Sequence, residues 1–150
     1  MPQSLVQNLH HTVFSTKGRV KMIRGKWALE LYGYIGGIMK RMNCRLISAG
    51  GTADHLLLLS SIGKTTTVSD MVMKVKSLSS AWVHTNVSGG EKFSWQRGYA
   101  SFSVSESMVK DVKRYIEKQP EHHHQRCFQE ELRTLLRKHN LEYDERYLWD

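Results

Sequence analysis

Between Cys44 and Ile62 two strand-type runs, CRLISA and HLLLLSSI, are separated only by Gly50-Gly51 and a short turn through Thr52 and Asp54. So short a connection predicts antiparallel pairing, a hairpin at the centre of the chain. The flanking segments must pack around that hairpin. Residues 9–16 (LHHTVFST) are rich in β-branched and aromatic side chains and read as a first strand. From about Lys26 to Met42, Trp27, Leu31, Tyr34, Ile35, Ile38 and Met42 recur at helical spacing. Gly33, Gly36 and Gly37 in that helix predict close packing against a neighbour. Thr67 or Ser69 can cap a second helix, running to about His84 with Met71, Val72, Val75, Leu78 and Trp82 facing the core. A fourth strand falls within Phe93–Val104. The order β-α-β-β-α-β predicts an α+β fold of ferredoxin-like type, an antiparallel sheet with helices on one face.

Beyond the fourth strand an appended C-terminal helical region begins. Ser105 is placed to cap a helix through Tyr115, Pro120 interrupts it, and a polar helix follows to about His139. The tail Tyr143–Asp150 is aromatic and is expected to dock. At 150 residues the chain reads as one domain, residues 1–150, able to bury about two-thirds of its unfolded surface.

Composition narrows the setting. No apolar run approaches the roughly 20 residues of a membrane span, and Met1-Pro2-Gln3-Ser4 lacks the features of a secretion signal. Cys44 and Cys127 are isolated and fit no zinc or disulfide spacing, so a cytoplasmic location is expected. Lys and Arg number 22 against 14 Asp and Glu, a net charge of +8. That excess favours a polyanionic partner, because phosphate neutralisation supplies most non-specific nucleic-acid affinity.

Chemistry concentrates at two places. In a helix, Tyr115 and Gln119 stand at i and i+4 on one face, a phenol beside an amide oxygen. Tyrosine is one of the few side chains that can form a covalent intermediate. In a strand, His55 and Leu57 point to one face, and Leu56 and Leu58 to the other. His10 and His11 alternate across the first strand, so at most one faces any given site.

The chain resembles the single-tyrosine HUH transposases of small insertion sequences and their relatives linked to repetitive extragenic palindromes. The resemblance rests on Leu9–Lys17, Gly51–His55, Trp95–Ser105, Tyr115–Gln119, Glu121-His122-His123, Phe128-Gln129-Glu130-Glu131 and Tyr143–Tyr147, in order and at compatible spacing. It implies Tyr115 as the nucleophile that attacks a phosphodiester in single-stranded DNA, leaving a 5′-phosphotyrosine and a free 3′-hydroxyl. It implies His55 and Gln119 as ligands of a divalent metal, Mg²⁺ or Mn²⁺. It also implies DNA hairpins at element ends as the partner, and a homodimer in which one subunit's tyrosine helix completes the other's metal site.

One position departs from the family pattern. Where the second histidine of the motif belongs, this chain has Leu57, which offers no lone pair. Asp54, in a regular strand, would point away, and recruitment of Asp54 or of His122, His123 or His124 would require local distortion. Lys17, Arg19 and Lys21 in the first loop, with Arg24 and Lys26, form a basic run suited to a DNA backbone. Arg97, Arg114 and Lys118 are further candidate DNA contacts, and Trp95, Tyr99 and Phe102 are candidate stacking residues. Two readings remain open: a transposase that cleaves and rejoins DNA, and a catalytically impaired relative that only binds hairpins. An RNA-binding module is disfavoured, because the sheet lacks the paired aromatics of the usual RNA-recognition signature.

Overall fold

The computed structural model describes residues 3–119 and 127–149, and the His122-His123-His124 run lies outside them. The strands are β1 (Leu9–Ser15), β2 (Arg45–Thr52), β3 (His55–Ser61) and β4 (Ala100–Val104). They form one antiparallel sheet in the order β2-β3-β1-β4, the ferredoxin-like topology expected. The central hairpin closes tightly, with Thr52 opposite His55 and only Ala53 and Asp54 between them. Gly51 makes this possible. Its φ is 148°, and a β-carbon there would sit 2.1 Å from the His55 carbonyl oxygen.

Helices α1 (Gly25–Arg41) and α2 (Val68–Asn86) pack on one face of the sheet. Their Leu31, Ile35, Ile38, Met39, Met71, Val72 and Val75 meet Phe14, Leu56 and Leu58. Thr67 is the cap of α2, its hydroxyl accepting from the Asp70 backbone N–H at 3.0 Å. The close packing expected at the α1 glycines is not found. A β-carbon at Gly36 would make only ordinary contact with Leu46 at 3.7 Å, and at Gly33 and Gly37 it would meet nothing within 4 Å.

The appended region covers the opposite face. Helices α3 (Val109–Glu117) and α4 (Phe128–Lys138) lay Ile116, Phe128, Leu132 and Leu136 against Val13, Leu57, Leu59 and Phe102. Both faces of β3 are therefore buried, which explains four consecutive leucines where a half-exposed strand would alternate. A last short helix, α5 (Glu145–Leu148), is followed by Trp149, and Leu148 and Trp149 pack against this second cluster, so the tail docks.

Two local expectations change. Ser105 does not cap α3: its hydroxyl pairs with that of Ser107 at 3.0 Å, a 3-10 turn covers Glu106–Met108, and α3 begins at Val109. The helix predicted to be polar, α4, is amphipathic, with Phe128, Leu132 and Leu136 buried. Residues 93–98 are loop, joined to β1 by a single bridge between Trp95 and Thr16. No helix among the described residues is long and apolar enough to cross a membrane.

Candidate active site

His55 opens β3 fully buried, and its ring is fixed from behind. Its Nδ1 lies 2.8 Å from Asp54 Oδ1 and 3.0 Å from Thr52 Oγ1, while the Thr52 hydroxyl also donates to Asp54 Oδ1 at 3.0 Å. Asp54 belongs to the turn rather than to the regular strand, so the expectation that it points away from the site is overturned. A carboxylate against Nδ1 favours the proton there and turns the Nε2 lone pair forward. The Asp54 carbonyl accepts from the Thr16 backbone N–H at 2.8 Å, tying the turn to the end of β1. Phe128 stacks on the imidazole with centroids 4.5 Å apart.

Tyr115 and Gln119 arrive on the same side. The regular part of α3 ends at Glu117, yet Gln119 keeps its place beside Tyr115, its Nε2 lying 3.5 Å from the Tyr115 carbonyl oxygen. Gln119 is fully buried, and its Oε1 stands 3.2 Å from His55 Nε2. Gly50 lets the helix come this close, for a β-carbon there would sit 2.7 Å from the Ile116 carbonyl oxygen. The sequence-predicted trio His55, Tyr115 and Gln119 thus meets within one chain.

A fourth residue joins them. Glu131 of α4 is 4% exposed. Its Oε1 accepts from the Tyr115 hydroxyl, and from Gln119 Nε2 at 2.9 Å. Its Oε2 lies 3.8 Å from His55 Nε2. Sequence reasoning gave it no role, although a signal was present: a carboxylate between Phe128 and Leu132, on the apolar side of an amphipathic helix.

Leu57 brings no donor atom to the site. It is fully buried in the apolar cluster with Val13, Ile116, Phe128 and Leu132. Of the two histidines in β1, His11 faces the tyrosine, its ring edge-on to Tyr115 with centroids 6.2 Å apart. Burial pushes the His11 imidazole down to about 4, against an upward pull from Glu131. Its Nε2 has no hydrogen-bond partner among the described residues. A cavity of about 340 Å³ between α3 and α4 opens onto His11, Tyr115 and Glu131. His10 points the other way, to Asn8 at 2.8 Å. Among the described residues no three His, Cys, Asp or Glu side chains cluster as metal ligands.

The basic candidates divide. Lys17, Arg19 and Arg97 line a groove of about 730 Å³ whose wall includes Trp149. The Trp149 ring lies 5.6 Å from the Arg19 guanidinium and 5.1 Å from that of Arg133. Trp149 also meets Phe128 edge-on at 6.5 Å, so the groove adjoins the His55 site through one aromatic ring. Lys76 fixes the loop that carries Arg97, its ammonium donating to the carbonyls of Gln96, Arg97 and Gly98 at 2.8, 3.2 and 2.6 Å. Lys21 is exposed outside that lining. Arg114 and Lys118 are exposed on the outer side of the tyrosine segment, Arg114 lying 3.9 Å from Asp111. Of the stacking candidates, Tyr99 is exposed and Phe102 is core. Trp95 is buried too, packed edge-on against Phe14 and Phe93 and donating to Ser79 at 3.0 Å.

Residues 5–119, from before β1 through Gln119, match the family model described as "Transposase IS200 like". The chain belongs to the IS200-like transposase family. Two solved structures share the fold of this IS200-like protein. A candidate transposase of Deinococcus radiodurans R1 superposes with a TM-score of 0.62 at 21% identity, over 79% of this chain and 98% of that one. A REP-associated tyrosine transposase bound to a REP hairpin also gives 0.62, at 11% identity, over 82% of this chain and 73% of that one. No curated protein matches. The family match ends at Gln119, so Glu131 and Trp149 lie outside it.

Proposed function

We propose that this IS200-like transposase cleaves and rejoins single-stranded DNA at hairpin-marked ends through a 5′-phosphotyrosine on Tyr115. The observation that carries this reading is the convergence of the Tyr115 hydroxyl, Gln119 and His55 in one buried cluster. The Tyr115 oxygen attacks the phosphorus, the bond to the 3′-oxygen breaks, and the strand leaves with a free 3′-hydroxyl. Attack by a 3′-hydroxyl on the phosphotyrosine reverses the step and joins strands. Glu131 accepts the phenolic hydrogen and so aims the oxygen.

His55 Nε2 and Gln119 Oε1 would hold a Mg²⁺ or Mn²⁺ ion. Their 3.2 Å separation suits two donors to one such ion, which would polarise the phosphate and stabilise the leaving oxygen. The groove at Lys17, Arg19, Arg97 and Trp149 supports DNA binding by pairing cations with a stacking surface. Because the site residues meet within one chain, a homodimer would carry two complete sites instead of sharing them.

The test is incubation with a labelled single-stranded hairpin and Mn²⁺. An adduct that resists denaturation, and is lost in Tyr115→Phe, is expected. Leu57 favours the second reading, a hairpin-binding relative without catalysis: it puts a side chain without a lone pair at the position where the resemblance implies a second histidine. Hairpin binding without adduct would establish that reading.

A further inference from the structure

Three side chains with metal-donor atoms meet at His55 Nε2. The Gln119 amide is held in one orientation, because its Nε2 faces two acceptors, Glu131 Oε1 at 2.9 Å and the Tyr115 carbonyl at 3.5 Å. Its Oε1 must then face His55 Nε2 at 3.2 Å. Asp54 sits on the opposite ring nitrogen at 2.8 Å, which favours the tautomer with an unprotonated Nε2. Glu131 Oε2 completes the arrangement at 3.8 Å from the same Nε2. An imidazole nitrogen, an amide oxygen and a carboxylate oxygen thus converge where His55 and Gln119 are fully buried and Glu131 is 4% exposed, a donor set that suits a divalent cation.

We propose that Glu131 is the metal ligand that replaces the histidine lost at Leu57, so that the site of this chain is His55, Gln119 and Glu131. The inference rests on the transposase reading for the identity of the ion, but the ligand set comes from the geometry. Oxygen-rich coordination with one imidazole suits Mg²⁺ and Mn²⁺ better than it suits softer ions. The carboxylate adds a negative charge that an imidazole would not. It arrives from α4, on the far side of the site from β3. That is why Leu57 can turn into the apolar cluster, packed among Val13, Ile116 and Phe128, without emptying the site. The other oxygen of Glu131 accepts from Tyr115, which places the nucleophile beside the ion-binding group.

The experiment measures Mn²⁺ binding by the full chain without DNA, by calorimetry and by the metal-induced rise in melting temperature. Wild type is expected to bind, and Glu131→Gln, which keeps the shape and removes the charge, is expected to bind at least 10-fold more weakly. Its metal-induced stabilisation should vanish while its melting temperature without metal is kept, since glutamine preserves the shape of the side chain. Should Glu131→Gln fail to fold, Glu131→Asp retains the charge, withdraws the oxygens by one methylene, and is expected to weaken binding likewise. Equal Mn²⁺ affinity in wild type and the variant that folds, or no binding by wild type, overturns the proposal. Adduct formation is scored separately: Mn²⁺ binding through Glu131 with no adduct on hairpin DNA sinks the transposase reaction and leaves the ligand assignment standing.

Discussion

Gly50→Ala should disable the site without touching any of its polar atoms. The added β-carbon would stand 2.7 Å from the Ile116 carbonyl oxygen and 2.8 Å from Ile116 Cγ2, where ordinary contact begins at 3.4 Å. The first obstacle is backbone and cannot rotate aside, so α3 must lift from β2 by about 0.7 Å, the shortfall to ordinary contact. Overpacking of this kind costs about 1–3 kcal/mol. For a chain of this size that lowers the melting temperature by roughly 2–4 °C per kcal/mol. Tyr115 adjoins Ile116 and moves with it, and a misplacement of about 1 Å at a reacting group can cost about 100-fold in rate. Adduct formation on a labelled hairpin should therefore slow by at least about tenfold, while hairpin affinity stays within about twofold because the groove is built from other segments. Gly36→Ala is the control: its β-carbon meets only Leu46 at 3.7 Å, so it should be neutral or stabilising by up to about 1 kcal/mol. A Gly50→Ala protein with wild-type melting temperature and adduct rate would refute the claim that close approach of α3 positions the nucleophile.

Other consequences can be measured directly. Trp149→Ala should weaken hairpin binding by about tenfold, in line with the roughly 1–3 kcal/mol of a base–aromatic stack, and Arg97→Ala should reduce the salt slope of binding by about 0.7; unchanged titrations would remove the groove from the DNA interface. His11 titrates near 4 in the folded chain, below its ordinary value of 6.5. The unfolded chain therefore binds the extra proton first, and stability should fall as pH drops from about 6.5 to 4, by about 3 kcal/mol in all. His11→Leu should flatten that decline in urea midpoints measured at pH 4.5 and 7, and a decline of wild-type size in the variant would assign it to other groups. Leu57→His should not rescue a metal site, because the imidazole would enter a fully buried apolar cluster. It should cost about 2–4 kcal/mol and reduce adduct yield; a gain in yield at undiminished stability would contradict the placement of Leu57.

The topology was legible because the short hairpin connection and the two helical periodicities leave few alternatives, and the sheet order follows them. His55, Tyr115 and Gln119 were singled out by the resemblance, and the structure brings them together although the regular part of α3 stops at Glu117. Glu131 was not, because the helical pattern around it marks burial but not the segment it meets: its place beside them arises from the docking of α4 across the sheet. Asp54 was misjudged by applying strand alternation to a residue that belongs to the turn. Trp95 and Phe102 illustrate the opposite limit, since an aromatic that would stack on a base and one that fills a core have the same sequence signature. The groove became visible only when Trp149, at the far end of the chain, came to lie beside Arg19.

The most direct test of the central claim is mass spectrometry of the protein after reaction with a single-stranded hairpin substrate in Mn²⁺, with the DNA trimmed to a short remnant. One modified peptide is expected, bearing a 5′-linked nucleotide on Tyr115, and no modified peptide from Tyr115→Phe. A remnant on another residue, or none from protein shown to bind both Mn²⁺ and the hairpin, would contradict it.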